Sequence, residues 1–149
     1  MDWQSSDSTF SLYWSGSDSR ELNDYQYSVG TAPGDTNIAA WTSVSTNTSM
    51  IIENVELVEE QTYYGSVRAE DRAGNISDVV SSDGITIDYS RPVSGSVSDG
   101  LSADLVFTGS ADSLSANWTG FSDFISGISN YEYAIGTTCL LYTSDAADE

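Results

Sequence analysis

Carboxylates are the abundant reactive groups in this 149-residue chain: 23 acidic side chains stand against four arginines, with no histidine, for a net charge of −19 at pH 7. Without histidine, and with the single cysteine Cys139, neither Ser-His-Asp nor Cys-His catalysis can be assembled, nor a zinc site built from His and Cys. Two chemistries remain. Paired carboxylates could cleave glycosidic bonds, but nothing in the sequence supplies a deep cleft or a reason to raise one pKa. The chain is therefore expected not to be an enzyme. Carboxylates converging from a loop could instead hold Ca²⁺. The densest alternation of oxygen donors is DRAGNISD, in which Asp71, Asn75 and Asp78 are the candidate ligands. The segment lacks the bidentate Glu and the full spacing of a calcium loop. A plain turn with no cofactor is the expectation, and calcium the alternative.

The same charge limits the partners. A strongly acidic surface repels phosphate backbones, so neither nucleic acid nor an anionic membrane surface is expected to bind. No apolar run reaches the roughly 18 residues that a membrane span needs, so no membrane insertion is expected. Asn47-Thr48-Ser49, Asn75-Ile76-Ser77 and Asn117-Trp118-Thr119 fit the N-glycosylation triplet, as chance allows among so many Ser and Thr residues.

The elements that must position these groups read as strands. Phe10, Leu12 and Trp14 alternate with Ser11 and Tyr13; Tyr25, Tyr27 and Val29 alternate with Gln26 and Ser28. Short strands follow over 38–45 and 49–53. Between two turns, Tyr63, Gly65, Val67 and Ala69 fall on one face and Tyr64, Ser66 and Arg68 on the other. Residues 84–89, with Ile85 and Ile87 on one face, close the unit. No window carries helical periodicity, so the chain is expected to be all-β.

A repeat organises the chain. Leu12-Tyr13-Trp14-Ser15-Gly16 and Tyr25-Gln26-Tyr27 return as Ala116-Asn117-Trp118-Thr119-Gly120 and Tyr131-Glu132-Tyr133. Trp14 and Trp118 are 104 residues apart, a period that suits tandem sandwich domains of about 100 residues. The division expected is one near-complete repeat over 1–88, clipped at its N-terminus, and the first half of a second over 89–138, with a joint near Pro92. The second half should supply three strands, over 103–107, 113–118 and 128–135, with one apolar face open. Residues 139–149, CLLYTSDAADE, leave the repeat and spell out the translation of a reverse-complemented transposon sequencing adapter. They are expected to be an adapter-derived tail, not native sequence.

The order Leu57, Tyr63, Val67, Ala69, then Asp71-Arg72-Ala73-Gly74-Asn75, resembles the E–F corner and F strand of fibronectin type III domains. The resemblance covers nearly all of 1–88 and the front of the second repeat, and it implies an immunoglobulin-like antiparallel β-sandwich. It places Trp14 as the B-strand core residue, Tyr25 or Tyr27 as the C-strand core aromatic, and Leu57 as the E–F leucine. Tyr63 becomes the tyrosine whose hydroxyl fastens the corner; Trp118, Tyr131 and Tyr133 repeat the earlier core roles. Gly65 departs from the pattern, standing where a β-branched residue is usual, and leaves space that a large neighbour such as Trp14 must fill.

The function expected is a non-catalytic, extracellular or cell-surface repeat in a multidomain protein. It would act as a spacer, adhesion or interaction module toward a protein or polysaccharide, beside neighbouring repeats of its own chain. The alternative is an accessory module of a secreted polysaccharide-degrading enzyme.

Overall fold

The computed structural model describes residues 2–16 and 22–136, and these contain no helix. The segment 139–149, with Cys139, lies outside the described residues. In chain order the strands are β1 (Asp2–Gln4), β2 (Thr9–Tyr13), β3 (Leu22–Gly30), β4 (Ala39–Ser43), β5 (Ser49–Glu53), β6 (Thr62–Asp71), β7 (Val80–Ser81), β8 (Ile85–Ile87), β9 (Ser96–Asp99) and β10 (Ala116–Thr119). The protein is all-β, as its period-two pattern requires.

The largest sheet has the order β1-β8-β6-β3-β4, with β7 also on β6. Its spine is the antiparallel pair β3–β6, in which Tyr25 lies opposite Ala69, Tyr27 opposite Val67 and Val29 opposite Gly65. β7 and β8 follow one another along the far edge of β6, at Ser66–Val67 and at Thr62–Tyr63 respectively. The sheet is mixed, not wholly antiparallel as expected, because β1 runs parallel to β8. That short strand covers an edge that would otherwise stand open. β2 and β5 form a separate antiparallel pair.

Both sheets feed one core. Phe10 of β2, Val29 of β3, Leu57 from the β5–β6 connection, Tyr63 of β6 and Ile87 of β8 are buried together. Leu12, Tyr27, Ile52 and Ile85 pack against them. Each such side chain contributes about 1.5–3 kcal/mol by leaving water. Of the residues expected in the core, Tyr25, Leu57 and Tyr63 are buried, and Tyr27 and Val67 are half-buried. Trp14 is also only half-buried: it lies just past the end of β2, where its indole meets Tyr25 edge-on at 5.9 Å. The centre belongs to Phe10, two turns of the same alternation earlier.

Gly65 is explained by close approach. A Cβ there would stand 2.5 Å from Leu12 Cδ1, so Leu12, not Trp14, occupies the space. Tyr63 ties the connection to the strand, its hydroxyl oxygen accepting the Val58 N–H at 2.9 Å.

Residues 89–136 are built differently. β9 and β10 pair antiparallel, with Trp118 opposite Val97, and an isolated bridge joins Val93 to Ser122. Of the three strands expected, only that over 113–118 has a counterpart, in β10; residues 103–107 and 128–135 are irregular. A strand needs hydrogen-bonding neighbours, and neither segment is flanked by one among the described residues.

Replacing Tyr63 by Phe removes the acceptor for Val58 N–H while leaving the ring in place. Stability in urea should fall by about 1–3 kcal/mol with an unchanged m-value. A loss below about 0.5 kcal/mol would mean the hydroxyl fastens nothing.

Candidate functional site

Two regions bear on function: the acidic turn after β6, and the aromatic surface of the second half. The turn is set by one carboxylate. Asp71 Oδ1 accepts the N–H groups of Ala73 (2.8 Å) and Asn75 (2.9 Å), and Oδ2 accepts Asn75 Nδ2 at 2.8 Å. The backbone closes the loop, Asp71 N–H donating to the Asn75 carbonyl at 3.0 Å and Gly74 N–H to that of Asp71 at 3.1 Å. Gly74 has φ +85°, so here glycine answers to backbone conformation, not to space.

Of the three candidate ligands, Asp71 and Asn75 are brought together, but as partners of one another. Asp78 enters differently, its carbonyl accepting the Ser77 hydroxyl at 2.9 Å. Among the described residues no three His, Cys, Asp or Glu side chains are gathered as a metal would need. The Asn75 side-chain amide first, then its backbone N–H, hold the Asp71 carboxyl below its ordinary pKa. Asp88 is lowered likewise, by the Ser126 hydroxyl first and then by that of Ser90. Of the glycosylation triplets, Asn47 stands in an exposed turn, whereas Asn117 is half-buried and donates to the Gly100 carbonyl at 2.9 Å.

The outer face of the large sheet carries a polar ladder. Arg68 lies 4.3 Å from the Trp41 ring centroid and donates through Nε to Gln26 Oε1 at 2.9 Å. Gln26 Nε2 donates in turn to Glu70 Oε2 at 3.2 Å.

The second region is a cavity of about 940 Å³ beside β10, lined by Pro92, Val97, Leu114, Trp118, Tyr131 and Tyr133 among others. Trp118, Tyr131 and Tyr133, expected as core, are exposed at 41%, 49% and 79%. Among the described residues no opposing layer covers them, so residues of core-forming type lie on an open face. They still find one another, Trp118 with Tyr131 at 5.7 Å and with Tyr133 at 6.5 Å, nearly parallel. The Trp118–Tyr131 contact, tilted at 46°, is close in distance to the edge-on Trp14–Tyr25 contact. Phe121, which the sequence did not single out, adds an edge-on contact to Tyr131 at 5.9 Å. No protein-family model, curated protein or solved structure matches the chain.

The lowered Asp71 sets a pH dependence. Its contribution to stability is complete above the ordinary pKa of 3.8 and is lost as pH falls through the lower folded value. Asp71→Ala should flatten the decline in melting temperature below about pH 4, and a decline as steep as in the parent chain would contradict this. Millimolar Ca²⁺ should not raise the melting temperature more than Na⁺ at matched ionic strength; a specific rise that Asp71→Ala abolishes would restore the calcium alternative.

Proposed function

We propose that the protein is a non-catalytic fibronectin type III-like sandwich module from an extracellular or cell-surface multidomain chain, working as a spacer or adhesion element. The observation that carries this reading is the corner at Leu57–Tyr63. A leucine is buried beneath the strand, and the first tyrosine of β6 accepts a backbone N–H from the connection it has just left. Support also comes from the cluster in which β2 and β5 meet the larger sheet, and from the recurrence of the Trp–Tyr contact in the second copy. The acidic surface suits an exposed, soluble module that avoids phosphate-bearing partners.

The second reading, an accessory module of a polysaccharide-degrading enzyme, is favoured by the exposed rings of Trp118, Tyr131 and Tyr133, since sugar faces stack on such rings. Affinity electrophoresis through gels containing xylan, mixed-linkage glucan or pectin separates the two, with reducing-end release assayed on the same polymers. The spacer reading predicts unchanged mobility and no reducing ends. Retardation lost in Trp118→Ala would favour the accessory module, and reducing ends released by the pure chain would overturn both.

A further inference from the structure

Residues 128–136, Ile-Ser-Asn-Tyr-Glu-Tyr-Ala-Ile-Gly, align with residues 22–30, Leu-Asn-Asp-Tyr-Gln-Tyr-Ser-Val-Gly, sharing both tyrosines and the glycine and placing Ile128 at Leu22 and Ile135 at Val29. In the first copy this sequence is β3, paired along its length with β6. In the second it belongs to no strand or bridge among the described residues. The exposure follows the pairing: Tyr25 is 6% exposed and Val29 fully buried, whereas Tyr131 is 49% exposed and Ile135 65%. Part of the arrangement is nonetheless already built, because Trp118 contacts Tyr131 at 5.7 Å, tilted at 46°, where Trp14 contacts Tyr25 edge-on at 5.9 Å.

We propose that 128–136 is an acceptor for an incoming polypeptide strand of the β6 type, which would add antiparallel to it as β6 adds to β3. This rests on the repeat reading above. The first copy defines the occupant's chemistry: small or β-branched residues opposite the two tyrosines, as Ala69 and Val67 are opposite Tyr25 and Tyr27. It also defines a charge. Gln26, opposite Arg68, accepts its Nε–H at 2.9 Å. The residue in the place of Gln26 is Glu132, so a strand bearing arginine at that register meets a carboxylate where the first copy has an amide. An Arg–carboxylate bond is the stronger of the two. Main-chain pairing then supplies affinity, and alternate side chains supply register.

The probe is a fluorescein-labelled peptide with the sequence of residues 61–72, titrated with the full chain and read by anisotropy. Saturable one-to-one binding is expected. Glu132→Arg should weaken it at least about tenfold through like-charge contact, and a peptide with Arg68→Glu should recover most of that loss on the Glu132→Arg chain. Tyr133→Asp, which spoils the apolar face, should weaken both peptides alike. Absence of saturation up to about 1 mM would overturn the proposal, as would equal affinity for a scrambled peptide or indifference to Glu132→Arg. A dimer of the chain that excludes the peptide would assign the face to a second copy instead, and a polysaccharide bound at Trp118 without peptide binding would assign it to glycan. The urea midpoint of the Tyr63-centred core, measured on each variant, separates failure of this proposal from failure of the module reading: the former leaves that midpoint unchanged.

Discussion

β3 is a strand because β6 lies beside it. A single extended segment leaves its N–H and C=O groups to water and its apolar face uncovered, and it gains nothing that offsets the entropy of ordering it. The pair β3–β6 meets both needs at once. Each strand satisfies the other's backbone, and the face carrying Tyr25, Tyr27 and Val29 closes against β2 and β5 through Phe10 and Leu12. The chain offers its own comparison, since the similarly patterned segment 128–136 has no such neighbour among the described residues and takes no strand.

From that pair the remaining features follow. β6 can receive Leu12 only because position 65 has no side chain, so the glycine sets the distance between the two layers there. The turn beyond β6 is held by the Asp71 carboxylate, which lets the chain come back as β7 and β8 on the opposite edge of β6. At the other end the Tyr63 hydroxyl fastens the connection that brings Leu57 into the core. Carboxylate and hydroxyl thus do structural work at the two ends of one strand, and the acidic turn owes its composition to that.

The strands were legible where alternation was long and partnered. β2, β3, β5 and β6 lie where Phe10–Leu12–Trp14, Tyr25–Tyr27–Val29, the short apolar run 49–53 and Tyr63–Gly65–Val67 put them. β7 was not foreseen, since a strand of two residues carries too little pattern and exists through the edge offered by β6; of β1 only a clipped first strand was expected, not its parallel pairing with β8. Within the core, aromatic size drew notice to Trp14, whereas Phe10, Val29 and Ile87 hold the centre because of where their strands cross. In the second half the residue pattern and the apolar face it leaves open were both visible, while the strands expected over 103–107 and 128–135 were not formed. Trp118, Tyr131 and Tyr133 have core-forming identities and exposed positions, because burial is a property of both layers and cannot be read from one. The acidic loop was legible as a turn from Gly74, while the role of Asp71 as its internal acceptor needed the backbone to be in place.

If neighbouring strands, not local propensity, make a Tyr-x-Tyr segment extended, the segments 22–30 and 128–136 must differ in protection although both carry that pattern. Native-state hydrogen exchange on the full chain measures this residue by residue. The backbone amides of Tyr25, Tyr27 and Val29 should exchange slowly, with opening free energies near that of global unfolding, while those of Tyr131, Tyr133 and Ile135 exchange close to unprotected rates. Comparable protection in the two segments would contradict the account.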